Sequence, residues 1–319
     1  MNDLLLLLLI VLLDYRIGDP QGWPHPIIAI GWLIKRLEGL IRKVGFDHRL
    51  GGAVLWLVTV TVVVVSLTGC LWLAELVHPA LAKTLMVYLL FASMAATSLK
   101  KEAAKVGEAL LRGDLKEGRK LLSWLVGRDT ATLTEEEVIK GAVETVAENT
   151  IDGVIAPLFY IIIGLLIGYP VQLVFLYKTV NTLDSMVGYI QMPYTHIGYV
   201  SAKMDDLFNY IPARIGSFIM LLAGGVLSMD LYNGRRMLKR DCRKHKSPNA
   251  GYPESVVAGL LNIQLGGRHT YFGQVLEKPT IGDPIRWPKV MDIGDTCRIM
   301  YMSEFILLMM GIICLYLIA

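Results

Sequence analysis

Three acidic side chains, Glu144, Glu148 and Asp152, recur at one-turn intervals in the run ETVAENTIDGVIAPLFY (144–160), which passes directly into apolar sequence. On an α-helix they would stack at i, i+4 and i+8, where like charges repel by a few tenths of a kcal/mol, so a cation is expected opposite them. In KTVNTLDSMVGY (178–189), Asn181, Asp184 and Ser185 share a helical face with Lys178 one turn earlier. The third polar run, SAKMDDLFNYIPAR (201–214), sets adjacent Asp205 and Asp206 between Lys203 and Arg214. Carboxylates with side-chain amides are the oxygen donors that Mg²⁺ selects, and nearby lysines and arginines hold phosphates. Together these runs suggest phosphoryl chemistry on a nucleotide. Each also has a plainer reading: a solvated acidic face, a helix cap at Asn181 or Asp184 beside a snorkelling lysine, a surface Asp-Asp turn. Their position beside apolar segments, where charge is expensive, favours function.

A fourth polar stretch, Asp14 to Pro26, contains Asp19 and three prolines that hold His25 in a rigid loop. The other histidines lack metal-ligand spacing. No Walker sequence and no G-x-G-x-x-G after a strand is present, so a nucleotide would need a site of another kind, with Gly251 or Gly266-Gly267 letting backbone N–H groups approach it.

The elements that must position these groups are membrane segments. Hydrophobic residues make up 54% of the 319, charged residues 18%, and the mean hydropathy is +0.50. Residues 53–77 exceed the roughly 20 needed to cross a bilayer, and His78-Pro79 turns the chain back through 80–99. Further spans are expected at 154–180, 213–229 and 303–319. The apolar run at 4–13 lacks a basic flank and a small-residue cleavage site, which predicts a retained anchor. Four cysteines without C-x-x-C spacing imply neither zinc nor a disulfide framework, and a net charge of +3 gives no nucleic-acid footprint. Lysines and arginines at 35–49 and 235–246 place those segments, and 100–150, on the cytoplasmic side. Two topologies satisfy that rule. The one adopted breaks 154–180 at Gly168-Tyr169-Pro170 and also interrupts 213–229, which contains Gly224-Gly225, as Gly/Pro-interrupted segments at membrane binding sites do.

The expected fold class is all-α: one polytopic helical membrane domain over 1–319, with interrupted helices and cytoplasmic helical and loop-rich layers at 100–150 and 231–300. Thr134 and Glu137 have capping-box spacing, predicting a helix through Glu148. Gly113-Asp114 predicts a turn between two amphipathic helices. The stretches 247–253, 266–268 and 282–284 read as loops.

The motifs GDP-QG-WPHP (18–26), ETVAENTIDGVIAPLFY, KTVNTLDSMVGY, SAKMDDLFNYIPAR and SPNAGYPES…LGGRHTYFG (247–273) closely resemble the CbiB/CobD family of cobalamin biosynthesis over nearly the whole chain. The resemblance implies an integral membrane adenosylcobinamide-phosphate synthase. Such an enzyme joins the propionate carboxyl of the corrinoid adenosylcobyric acid to (R)-1-amino-2-propanol or its O-phosphate, with ATP consumed. Arg268-His269-Thr270 departs from the family's usual residues. Activating a carboxylate, most simply as an acyl phosphate, demands Mg²⁺ and cations. The metal ligands expected on residue chemistry are therefore Glu148, Asp152, Asp184, Asp205 and Asp206. Lys178, Lys203 and Arg214 would contact phosphates. Asn149 and Asn181 would orient substrate or metal-bound water. Asn249, Gly266, Gly267 and Arg268 would line the substrate site, and Glu148 with either Glu144 or His25 would perform the acid–base steps. The ATP requirement puts the site on the cytoplasmic face of the cell membrane. Partners are then the small substrates and the bilayer, with self-association or contact with later cobalamin-assembly enzymes. Two other classes fit parts of the pattern: an ion-coupled transporter, and a non-catalytic membrane sensor related to the same family.

Overall fold

The computed structural model of the chain describes residues 2–19, 22–189, 191–271 and 274–318, with side chains except at 268–271 and 274–276. The helices are α1 (Asp3–Ile17), α2 (Pro26–Lys43), α3 (Arg49–Val77), α4 (Pro79–Ala92), α5 (Ala96–Leu111), α6 (Leu115–Ser123) and α7 (Glu135–Asn149). A π-helical turn, Thr150–Ile155, leads into α8 (Ala156–Ile167) and α9 (Pro170–Val187). Then come α10 (Tyr199–Phe208), α11 (Tyr210–Val226), α12 (Leu231–Asp241) and α13 (Gly251–Leu261), the antiparallel strands β1 (Leu265–Tyr271) and β2 (Gln274–Ile281), and α14 (Met291–Ile318). The architecture is all-α and polytopic, as the hydropathy required.

Among the described residues, four helical stretches are long and apolar enough to cross a membrane: Arg49–Val77, Pro79–Leu111, Glu135–Ile167 and Met291–Ile318. Three contain or extend the expected spans. The fourth ends at the break expected in 154–180: α8 stops before Gly168-Tyr169, and Pro170 starts α9 as its first helical residue. A further interruption lies elsewhere than expected. Gly224-Gly225 stays within α11, and the helix breaks at Asn209, so that α10 and α11 qualify as a span only together. Pro212 supplies the cause: lacking an N–H, it cannot bond the carbonyl of Phe208 one turn earlier. The Tyr160 hydroxyl donates to that carbonyl at 2.7 Å instead.

The contacts divide the chain into two compact units. The first comprises Met1–Ala95, Pro157–Asn209 and Met310–Ala319. In it α3 packs along α4, α9 and α2, and α1 lies on α4. Leu7, Ile10, Leu55, Leu90, Phe175 and Tyr177 are its fully buried centre.

The second unit, Ala96–Ala156 and Tyr210–Met309, brings together the two charged stretches that are far apart in sequence. Gly113-Asp114 makes the expected turn, with Asp114 capping α6 through the Glu117 N–H. Thr134 and Glu137 form the capping box that starts α7. The stretch 282–284 is the expected loop, but 251–253 open α13 and 266–268 lie in β1: β1 and β2 form a hairpin with a bulge between Leu265 and Gly267, and the hairpin packs on α13 and α7.

The base of this hairpin is tied to α12 by Asp241. Its fully buried carboxylate accepts from Arg240 through both Nε and Nη2 at 2.7 Å, from Lys244 at 2.7 Å and from the Gly282 N–H at 2.8 Å. Burial alone would raise its pKa, but these donors outweigh burial and hold the carboxyl well below the usual carboxylate range. A depressed folded-state pKa contributes stability above the unfolded-state value and loses it as pH falls. Asp241→Asn is expected to lower the thermal midpoint at pH 7 by roughly 4–8 °C, about 2 kcal/mol, and by somewhat less at pH 3, since the contribution declines only as pH falls from the unfolded-state value toward the much lower folded-state one. Thermal unfolding in detergent at the two pH values checks this.

Candidate functional site

The most polar interior in the second unit surrounds α7. Glu144 is nearly buried, and each of its oxygens has a partner: Oε2 accepts from Arg128 Nη1 at 2.9 Å, and Oε1 from the Gly266 N–H at 2.7 Å. Arg128, in the loop after α6, is the cation that the acidic face required. Its guanidinium lies directly over Gly141, where a Cβ would collide with Nη2. Glu148 lies one turn beyond Glu144 and is exposed. Asp152 falls within the π-helical turn, whose i→i+5 pattern takes it out of phase with the stack expected on a straight α-helix.

Facing Glu144 and Glu148 is a carboxyl that the sequence reading did not select. Glu254, in the first turn of α13, is 5% exposed. Burial, then the nearby negative charges of Glu144 and Glu148, raise its pKa well above normal, against a smaller opposite effect of Lys278 and Arg128. It is therefore a neutral acid beside ionisable ones. His245 borders the same group: burial first and then Lys278 push it down to about 4, and its Nδ1 accepts from the Ser247 N–H at 3.0 Å. The available sequence signal for Glu254 was one acid heading an otherwise apolar helix, ESVVAGLL. Arg128 gave none beyond being a loop arginine.

Gly266 and Gly267 take the positive φ values +72° and +97°. At Gly266 a side chain would strike the carbonyl oxygen of Pro279, so glycine is what lets β1 bulge toward Glu144. The Gly266 N–H is consequently donated to that carboxylate. Space beside Gly267 is open. The Arg268 and His269 side chains lie outside the described residues.

Arg214 and Asn249, both selected from sequence, meet. Arg214 Nη1 donates to Asn249 Oδ1 at 3.2 Å and to the Tyr210 carbonyl at 2.6 Å. Its guanidinium stands 3.3 Å from the Tyr210 ring centre and 4.5 Å from that of Tyr252, a geometry suited to cation–π attraction. Asn149 is turned back along its own helix, Nδ2 donating to the Thr145 carbonyl at 3.0 Å.

In the first unit, Lys178, Asn181, Asp184 and Ser185 all lie within α9, which removes the reading of Asn181 or Asp184 as a helix cap. Asp205, on α10, accepts from Asn181 Nδ2 at 3.2 Å and through both oxygens from Asn209 Nδ2 at 3.1 Å. Tyr177 then donates to Asn209 Oδ1 at 3.0 Å and stacks on Tyr160, ring centres 4.9 Å apart. Two helices are thus joined by a continuous polar ladder. Lys203 pairs with Asp206 at 3.1 Å. Asp184 is half-buried, and Ser185 is exposed. His25 caps α2, its Nδ1 accepting from the Ile27 N–H at 3.2 Å, and its Nε2 is 3.5 Å from Asp19 Oδ1. Tyr88 fixes the loop by donating to the Pro24 carbonyl.

Among the described residues, no group of three or more His, Cys, Asp or Glu side chains is placed to hold a metal ion. The donor set therefore does not fit a dedicated protein cage. A magnesium ion completed by phosphates and water needs only one or two carboxylates.

The family model described as "CobD/Cbib protein" matches residues 7–300. A "Cobalamin biosynthesis protein CobD" of Geobacter metallireducens is 47% identical over 94% of this chain and 93% of its own length. A second protein of that name, from Streptococcus sanguinis, is also 47% identical, over 94% and 93%. A "Cobalamin biosynthesis protein CbiB" of Salmonella arizonae is 44% identical over 91% and 90%. No solved structure matches. Near full-length similarity to proteins under both names, together with the polytopic fold and its ordered polar motifs, settles the family: this chain belongs to the CobD/CbiB family.

Proposed function

We propose that this chain is the ATP-dependent ligase of cobalamin biosynthesis that forms an amide between the propionate carboxyl of adenosylcobyric acid and (R)-1-amino-2-propanol or its O-phosphate. The observation that carries this reading is buried Glu254 beside Glu144, exposed Glu148, Arg128 and Lys278, in a chain whose relatives are named for cobalamin biosynthesis. In such a reaction the substrate carboxylate attacks the terminal phosphorus of ATP, and ADP leaves. The amine, having lost a proton, then adds to the acyl carbon, and phosphate departs with the former carboxylate oxygen.

A base is needed for the ammonium proton. Both oxygens of Glu144 are occupied, and His25 Nδ1 is used in its cap. Exposed Glu148 suits the role, with neutral, protonated Glu254 behind it as the residue that gives up a proton and regains one. Arg214, held close to the rings of Tyr210 and Tyr252 and hydrogen-bonded to Asn249, suits a phosphate or carboxylate of the substrates. Lys178 and Lys203 remain phosphate contacts in this reading, with Asn181 orienting water. Magnesium, when bound with the nucleotide, would offset phosphate charge, and the carboxylates proposed for it are Glu148 and Asp152 in the second unit and Asp184, Asp205 and Asp206 in the first. The active face is assigned to the cytoplasm because ATP is there.

Purified chain given adenosylcobyric acid, ATP, Mg²⁺ and each form of the amino alcohol is expected to release ADP and amide product in equal amounts. Asp184→Asn and Asp206→Asn are each expected to lower that rate at least about 100-fold while the protein still inserts. Absence of product with either acceptor would overturn the ligase reading, and full activity in both variants would remove the metal roles.

A further inference from the structure

We infer that the groove between α11 and α12 is a binding site for the headgroup of an anionic phospholipid. It has a volume of about 850 Å³. Phe218 and Leu222 of α11 line one wall, Leu238 of α12 contributes apolar surface, and Arg235, Lys239 and Arg243 also line it. The three cations are exposed and recur every fourth residue, continuing one line from α12 into the turn after it. Among the described residues none of the three has an ion-pair partner. Arg236 and Arg240, by contrast, are spent on Asp283 and Asp241. The folding unit thus satisfies two arginines of this helix internally and leaves another row of positive charge outward.

What covers that row must be anionic on one side and apolar on the other. Phe218 is 59% and Leu222 42% exposed, on a helix that forms part of a candidate membrane span. A soluble anion would neutralise the cations and leave these side chains in water. A phospholipid answers both, its phosphate among Arg235, Lys239 and Arg243 and its acyl chains along Phe218 and Leu222. Basic segments next to a membrane helix are held by anionic lipid, each lysine or arginine adding to the attraction. This inference is independent of the ligase reading, since no residue proposed for the reaction lies in the groove.

The test uses purified full-length chain in neutral detergent, titrated with fluorescent phosphatidylglycerol or phosphatidylcholine and followed by anisotropy. Phosphatidylglycerol is expected to bind at least about tenfold more tightly, fewer than the three cations' full contribution allowing for screening. The triple variant R235Q/K239Q/R243Q should lose that preference, and Phe218→Ser with Leu222→Ser should weaken both lipids while keeping it. Equal binding of the two lipids by the unaltered chain overturns the inference without reference to any variant. So does displacement of phosphatidylglycerol by millimolar inorganic pyrophosphate, which would mark a site for free phosphate.

Discussion

Glu254→Gln is expected to lower turnover in the proposed ligation about 100-fold while making the protein more stable at neutral pH. The glutamine keeps the volume and the neutrality of the buried carboxyl, so the packing of α13 is preserved. It cannot pass a proton, and positioned acid–base groups contribute roughly 10²–10⁴ in rate. The stability effect follows from the raised pKa of Glu254. Below the unfolded-state value both forms of the chain carry the proton, and the side chain is neutral in its effect. Above it the unfolded chain releases the proton and the folded chain keeps it, so the wild-type residue costs stability as pH rises. The variant's thermal midpoint should exceed wild type at pH 7 and match it near pH 4. A variant with unchanged turnover and a raised midpoint would show that Glu254 is only a buried neutral carboxyl.

Glu144→Gln carries the largest expected loss of stability, roughly 3–5 kcal/mol, because it removes one partner of an ion pair whose side chains are only 4% and 12% exposed. The same substitution also replaces an oxygen that accepts from the Gly266 N–H, so the hairpin should loosen. Two measurements separate these effects. A double-mutant cycle of Glu144→Gln with Arg128→Met should give a coupling of about 0.5–3 kcal/mol. Hydrogen exchange should quicken at Gly266 in Glu144→Gln and less in Arg128→Met. Additive single-variant effects would mean that the two side chains do not support each other.

The helices and several of their ends were legible in the sequence. Thr134 and Glu137 announced α7 through local capping, and His78-Pro79 announced the turn between α3 and α4, because both are fixed by neighbours within a few residues. The hairpin was not, because Gly266-Gly267 is a turn signal by composition and becomes a bulge only through pairing with β2. Glycine was also a poor guide to interruption within apolar helices. Gly224-Gly225 is tolerated in α11, where Gly224 packs closely on Leu260, whereas the break occurs at Asn209, three residues before a proline. Of the site, Glu144, Arg214, Asn249, Asn181 and Asp205 could be named individually from the sequence, though not the contact that joins the last two. Arg128 and Glu254 could not, since their significance comes from what tertiary packing places opposite them.

The π-helical turn at Thr150–Ile155 bears on how this protein's length can vary. It accommodates one more residue than an α-helical path, so the acidic side upstream and the apolar side downstream belong to different helical wheels. Removing a single amino acid there would return the turn to an α-helical path and leave α8 close to its present rotation, with Leu158 and Ile161 still enclosed. The same deletion a turn upstream, within α7, would swing α8 by about 100° about its axis and bring that enclosed side outward.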